Sequence, residues 1–281
     1  MTNKLNTWFV GSENRRSPIS IYYPEKRENA EIVLFAHGFK GFKDWGHFPL
    51  MQQYIADKGF VVIAFNFSHN GGTIEEAIDF PDLEAFSKNT YQKEVDDVGH
   101  VLDWIKVNKE LYFEGSKTQQ IHIIGHSRGG GIALLAGNKY QEIGKVVTLA
   151  AVADFLERLP NKKQLTEWKS KGVHFIKNGR THQDMPINYE FVETLMNFQK
   201  EVNIQRNVEN LEKPLLIVHG TNDETVALEN AERIKSWKKE AQLAVVNECN
   251  HTFNGKHPYT DLKLPKATLE ALASSITFLK A

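Results

Sequence analysis

Ser127, Asp223 and His251 have the types and the chain order that acyl transfer needs. Ser127 stands in Gly125-His126-Ser127-Arg128-Gly129, between the apolar run "QIHIIGHS" (120–127) and the small-residue helical pattern "GIALLAGNKY". A serine placed where a buried strand turns sharply into a helix has its hydroxyl exposed, and small neighbours let helix and strand approach closely. A hydroxyl is a weak nucleophile until a base takes its proton, and that base needs an orienting acid. Of the five histidines after Ser127, His174 and His182 fall in a segment without convincing strands, and His219 lies inside a strand. His251, three residues past "QLAVVNE" (242–248), is the predicted base, with His257 as the alternative. Asp223 leaves the strand "PLLIVHG" (214–220) in a Thr-Asn-Asp turn and is the predicted acid. Asp154, after "KVVTLAA" (145–151), is the alternative, and Glu224 adjoins. An aspartate in such a turn more often serves turn or cap chemistry, and its place in the order Ser-Asp-His argues for more.

An acyl-transfer site also needs donors for the oxyanion. The backbone N–H groups of Arg128, just after the serine, and of Phe39, in "HGFKGFKDW" after the strand "EIVLFA", are the predicted pair. His37 is assigned to shaping that loop, and Gly38 lets it turn tightly. His69 in "NFSHNGG" ends another strand and is placed at the substrate pocket. His122 and His126 lack a third ligand, so no metal is expected; with no G-x-G-x-x-G and no G-x-x-x-x-G-K-[ST], no nucleotide cofactor is expected either.

The elements that would hold these residues alternate. Nearly continuous apolar runs at 31–38, 60–67, 120–127, 145–151, 214–220 and 242–248 read as strands buried on both faces. Helical patterns such as "YQKEVDDVGHVLDWIKVN" lie between most of them, which predicts a mainly parallel sheet with helices on both sides. "NTWFVG" and "PISIYYP" predict an antiparallel hairpin at one edge. Ligands of such sheets sit at the carboxyl ends of the strands, where Ser127, Asp223 and His251 all fall.

Residues 152–208 break the rhythm and predict a helical cap insertion, leaving 1–151 and 209–281 as the core domain. Between 155 and 184 it carries seven basic residues against three acidic ones, interleaved with Phe155, Leu159, Leu165, Trp168, Phe175 and Ile176. Trp168 and Phe175 are predicted to line the substrate pocket, and the basic excess predicts steering of anionic substrates. The 281 residues suit one large domain, and a net charge of −1 argues against nucleic acid or an anionic membrane as partner. The lone Cys249 excludes an internal disulfide; no apolar leader or 18-residue apolar run is present, so a cytoplasmic monomer or homodimer is expected.

With His37-Gly38-Phe39, the serine pentapeptide, "HGTNDETV" and His251 in this order, the chain resembles the α/β-hydrolase superfamily. Within it, the chain is similar to small bacterial serine esterases of the feruloyl-esterase and dienelactone-hydrolase kind. The resemblance implies ester hydrolysis through an acyl-enzyme, without a cofactor. Peptidase or amidase action, carbon–carbon hydrolysis, perhydrolysis or a non-catalytic binding role are the alternatives. A serine at 127, where dehalogenases and epoxide hydrolases of this superfamily carry aspartate, argues against those two reactions.

Overall fold

The computed structural model describes residues 4–281. Ten strands form: β1 Lys4–Val10, β2 Arg16–Tyr22, β3 Glu31–Ala36, β4 Val61–Phe65, β5 Lys117–His126, β6 Ile143–Leu149, β7 Val173–Lys177, β8 Asp184–Asn188, β9 Leu215–Gly220 and β10 Gln242–Val246. Eight of them make one sheet in the order β1-β2-β4-β3-β5-β6-β9-β10. From β4 to β10 every pairing is parallel, whereas β1–β2 and β2–β4 are antiparallel. The N-terminal hairpin therefore extends one edge, as its two short apolar runs predict.

Both faces of the sheet are covered. Along β3, Ile32, Leu34 and Ala36 enter one core while Val33 and Phe35 enter the other. Helices Phe48–Asp57 and Lys266–Lys280 cover the second face with Met51, Ile55, Leu272 and Leu279. Helices Tyr91–Val107, Arg128–Lys139 and Glu229–Trp237 cover the first with Val98, Leu102, Leu134 and Ile234. This two-sided burial explains why the central strands read as continuous apolar runs. β10 departs from that reading. It is the outer strand of the sheet, and only Val246 of its five residues is buried.

The segment 152–208 is not all helical, which corrects the sequence-based expectation. Helix Lys162–Lys171, started by an Asn161–Gln164 capping box, is followed by an antiparallel β7–β8 hairpin and then by short helices from Glu190. β7, "VHFIK", and β8, "DMPIN", are five residues each and mix charge and proline with apolar positions. Such short runs carry little periodic signal. The Trp168 indole N–H donates to the Ile187 carbonyl at 2.9 Å and pins helix to hairpin.

Candidate active site

Ser127 is the first residue past β5 and directly precedes helix Arg128–Lys139. Its backbone, at φ 57° and ψ −119°, lies where side-chain-bearing residues are rarely found. What holds it there is close approach. A Cβ on Gly129 would lie 2.4 Å from the His37 carbonyl oxygen, and one on Gly125 would lie 2.1 Å from that of Gly129. Neither position has room for any side chain. The turn is further tied by the Ser127 N–H donating to the Leu149 carbonyl at 2.8 Å.

Because β5, β9 and β10 run parallel, the loops after them emerge on one side and bring together residues far apart in sequence. His251 Nε2 lies 2.9 Å from Ser127 Oγ, and His251 Nδ1 lies 2.8 Å from Asp223 Oδ2. Asp223 does turn chemistry as well, with its other oxygen: Oδ1 accepts from the N–H groups of Thr225 and Val226 at 2.9 and 2.8 Å. His219 Nε2 donates to the Val226 carbonyl at 2.7 Å and lies 3.3 Å from Oδ2, which places a second imidazole beside the same carboxylate. Burial alone would raise the Asp223 pKa; the hydrogen bonds from His219 and His251 outweigh it and hold the group well below the usual carboxylate range.

The loop after β3 abuts the serine, with a Cβ on Gly38 reaching 3.0 Å from that of Ser127. His37 bridges the loop, its Nδ1–H donating to the Gly38 carbonyl at 2.9 Å and its Nε2 accepting from the Phe67 N–H at 3.2 Å. Among the described residues, the amides of Phe39 and Arg128 have no protein acceptor. Two cavities meet at Ser127 and Phe39. One of about 360 Å³ runs under the 152–208 segment past Phe155, Trp168, Ile176 and Phe191. The other, about 180 Å³, lies between the Gly38–Gly41 loop and Thr252.

Several predicted residues fall elsewhere. His257 Nδ1 accepts from the Gly46 N–H at 2.7 Å and is not beside Ser127. The Asp154 carboxylate caps the Leu156 N–H at 2.7 Å. His69 is buried away from both cavities, bonded to Ser68 Oγ at 2.9 Å and to Glu13 at 3.1 Å. Phe175 points outward, 56% exposed, because strand alternation in β7 turns its neighbours His174 and Ile176 to the cavity. Trp168 does line the cavity. Of the seven basic residues between 155 and 184, only Arg158 reaches it; Lys177 pairs with Asp184 and Arg180 with Asp79 at the surface. Sequence reasoning missed Tyr91 and Phe191, from helices outside any motif, His174 and Ile187 of the β7–β8 hairpin, Val152 and Pro160, and the side chain of Arg128.

The model of the Esterase family matches residues 11–267. The chain belongs to the Esterase family. This Esterase-family chain is thus a hydrolase that acts on esters. No curated protein sequence matches it. Its fold is shared by Est1E of Butyrivibrio proteoclasticus in a structure with ferulic acid bound, at 16% identity over 98% of this chain and 100% of that one, TM-score 0.72. The esterase domain of a Rhodothermus marinus protein aligns over 99% of this chain and 98% of that one at 16% identity, TM-score 0.65. An esterase of Pyrococcus furiosus aligns over 99% and 91% at 17% identity, TM-score 0.63. Among the described residues, no helix is long and apolar enough to cross a membrane, and no group of three metal-ligating side chains converges.

Proposed function

We propose that this esterase is a serine carboxylesterase that cleaves small or medium-sized esters through an acyl-enzyme. The observation that carries the reading is the line Ser127 Oγ, His251, Asp223 Oδ2, with contacts of 2.9 and 2.8 Å. His251 Nε2 takes the hydroxyl proton as Ser127 Oγ attacks the acyl carbonyl. Asp223 holds the Nδ1–H tautomer and stabilises the imidazolium. The oxyanion accepts from the Phe39 and Arg128 amides, which nothing else uses. The imidazolium then gives its proton to the departing alkoxide, the alcohol leaves, and water repeats the attack on the acyl-serine.

The segment 152–208 acts as a cap that excludes water from the larger cavity. That cavity takes the acyl group and the smaller one the alcohol. Walls of Phe39, Tyr91, Phe155 and Phe191 favour a flat acyl group, in keeping with the ferulic acid held by Est1E.

The test is a fluorophosphonate label and intact-mass detection of an acyl-enzyme from p-nitrophenyl esters. Wild type is expected to gain one adduct on the peptide holding Ser127, and Ser127→Ala none, with hydrolysis lost. A Ser127→Ala protein that still hydrolyses near wild-type rates overturns the mechanism.

A further inference from the structure

Basic residues on the cap suggest, from sequence, a taste for anionic substrates, yet the cation most deeply set in the acyl cavity comes from the serine turn itself. Arg128 is only 8% exposed and lines that cavity beside Ser127. Its guanidinium lies 3.9 Å from the Phe39 ring centre, 4.7 Å from that of Tyr91 and 5.5 Å from that of Phe191. Nη1 donates to Glu94 Oε1 at 3.2 Å, and the Tyr91 hydroxyl lies near enough to the guanidinium to feel its charge. Among the described residues Nε and Nη2 have no protein acceptor, and neither belongs to the buried polar atoms left without a partner, so both face open space. The guanidinium edge is a pair of fixed donors in a wall that is mostly aromatic and aliphatic, with His174 and Arg158 as its other polar side chains besides Ser127.

Glu94 decides what that edge accepts. It is buried on helix Tyr91–Val107 and is also held by Asn89 Nδ2 at 2.6 Å. Burial raises its pKa and Arg128 offsets this only in part, while its second oxygen, Oε2, is buried without a partner. The geometry is that of a buried salt bridge, Nη1 to Oε1 at 3.2 Å, and losing the carboxylate charge would leave Arg128 a lone cation in a mostly apolar pocket, which favours the ion pair. The subsite then carries no net charge. A carboxylate brought to it would face Glu94 at close range in a medium that screens poorly. Arg158, the other arginine at this cavity, is exposed and bonded to the Thr225 carbonyl at 3.1 Å, so water screens it.

We propose that Arg128, neutralised by Glu94, is a specificity subsite for an uncharged hydrogen-bond acceptor on the acyl group, a carbonyl or hydroxyl oxygen, and that it rejects a carboxylate there. This rests on the reading of Ser127 as nucleophile and of the larger cavity as the acyl site.

Three p-nitrophenyl esters of equal length test it: the adipamate, ending in a primary amide, the hemiadipate, ending in a carboxylate, and the 6-methylheptanoate, ending in an isopropyl group. All three hydrolyses must disappear in Ser127→Ala, which separates failure of the nucleophile assignment from failure of the subsite. In wild type, kcat/KM for the adipamate is expected to exceed that for the isopropyl ester by about tenfold, the effect of one good hydrogen bond. The hemiadipate is expected to be the poorest of the three. Arg128→Met is expected to erase the amide advantage. Glu94→Gln, which keeps the carbonyl that Asn89 and Arg128 hold and removes the charge, is expected to make the hemiadipate the preferred substrate. A wild-type preference for the hemiadipate overturns the neutral subsite. So does a set of ratios that Glu94→Gln leaves unchanged, and this arm stands even if Arg128→Met fails to fold.

Discussion

His126 Nε2 donates to the backbone carbonyl of His251 at 2.8 Å, so the residue before the serine fixes the backbone of the residue whose ring faces that serine. The two imidazole rings lie 5.0 Å apart, and burial, then repulsion from His251, lowers the His126 pKa to about 3. A neutral ring can donate here without adding charge beside His251. His126→Phe keeps the bulk between Phe48 and Phe253 and removes the donor. The expected result is a lower kcat, with little change in KM, and a loss of about 1–3 kcal/mol of stability from the orphaned carbonyl. His126→Gln, which restores a donor, is expected to recover part of kcat. A Phe variant that loses stability but keeps kcat would leave His126 a packing residue only.

Replacing the charge at Asp223 tests the acid. Asp223→Asn is expected to lower kcat on the order of 10³–10⁴-fold, since an amide neither fixes the tautomer nor stabilises the imidazolium. Asp154→Asn is expected to change it little, because that carboxylate serves the Leu156 N–H. Steady-state kinetics on one p-nitrophenyl ester compare the two, and the reverse ranking would move the acid to the loop after β6.

Acid lability follows from three buried histidines. Burial lowers His37 and His47 to about 4 and His126 to about 3, while an unfolded histidine titrates near ~6.5. Between those values the unfolded chain binds more protons, so stability is complete above about pH 6.5 and falls as pH drops toward 4. Asp97, which burial raises to about 6, and Glu94, which burial also raises, work in the opposite direction, while His69, His122 and His257, lowered by burial as well, add to the fall. Denaturant midpoints are expected to fall steadily from pH 7 to pH 5. His47 has no partner for either ring nitrogen, so His47→Phe is expected to make that fall shallower. An unchanged pH slope would show that the ring takes up its proton without unfolding.

Cys249 is fully buried, and burial, then the nearby Asp223, pushes its thiol up to about 12. Iodoacetamide at pH 8 is expected to leave native protein unmodified and active, and to add one label after denaturation. Mass spectrometry of native protein that shows a label, with activity lost, would bring the thiol into the chemistry.

The legible parts of this molecule were those set by local rules. Two-sided burial wrote the strands as apolar runs, and the serine turn admits only small neighbours at 125 and 129, so both could be read directly. What escaped depends on contacts between distant segments. His69 ends a strand as an active-site residue would, but Glu13, from the N-terminal hairpin turn, claims its ring. Phe175 reads as an apolar pocket residue by type, but β7 is a strand whose alternation sends it to water. Arg128 was visible as an amide donor; its side chain acquires a role only from Glu94 and Tyr91, on a helix more than thirty residues earlier in the chain.

With Ser127 as the proposed nucleophile, its backbone sets thermal robustness against turnover at a single position. At φ 57° and ψ −119° glycine would be the comfortable occupant, and a side chain there costs on the order of 1–3 kcal/mol. Ser127→Gly would give a tougher protein and an inert one. A search for heat-tolerant variants that ignores activity should therefore tend to discard the serine, so stabilising this scaffold for use means taking the gain elsewhere, in the edge strands or the 152–208 segment, and leaving the turn under tension.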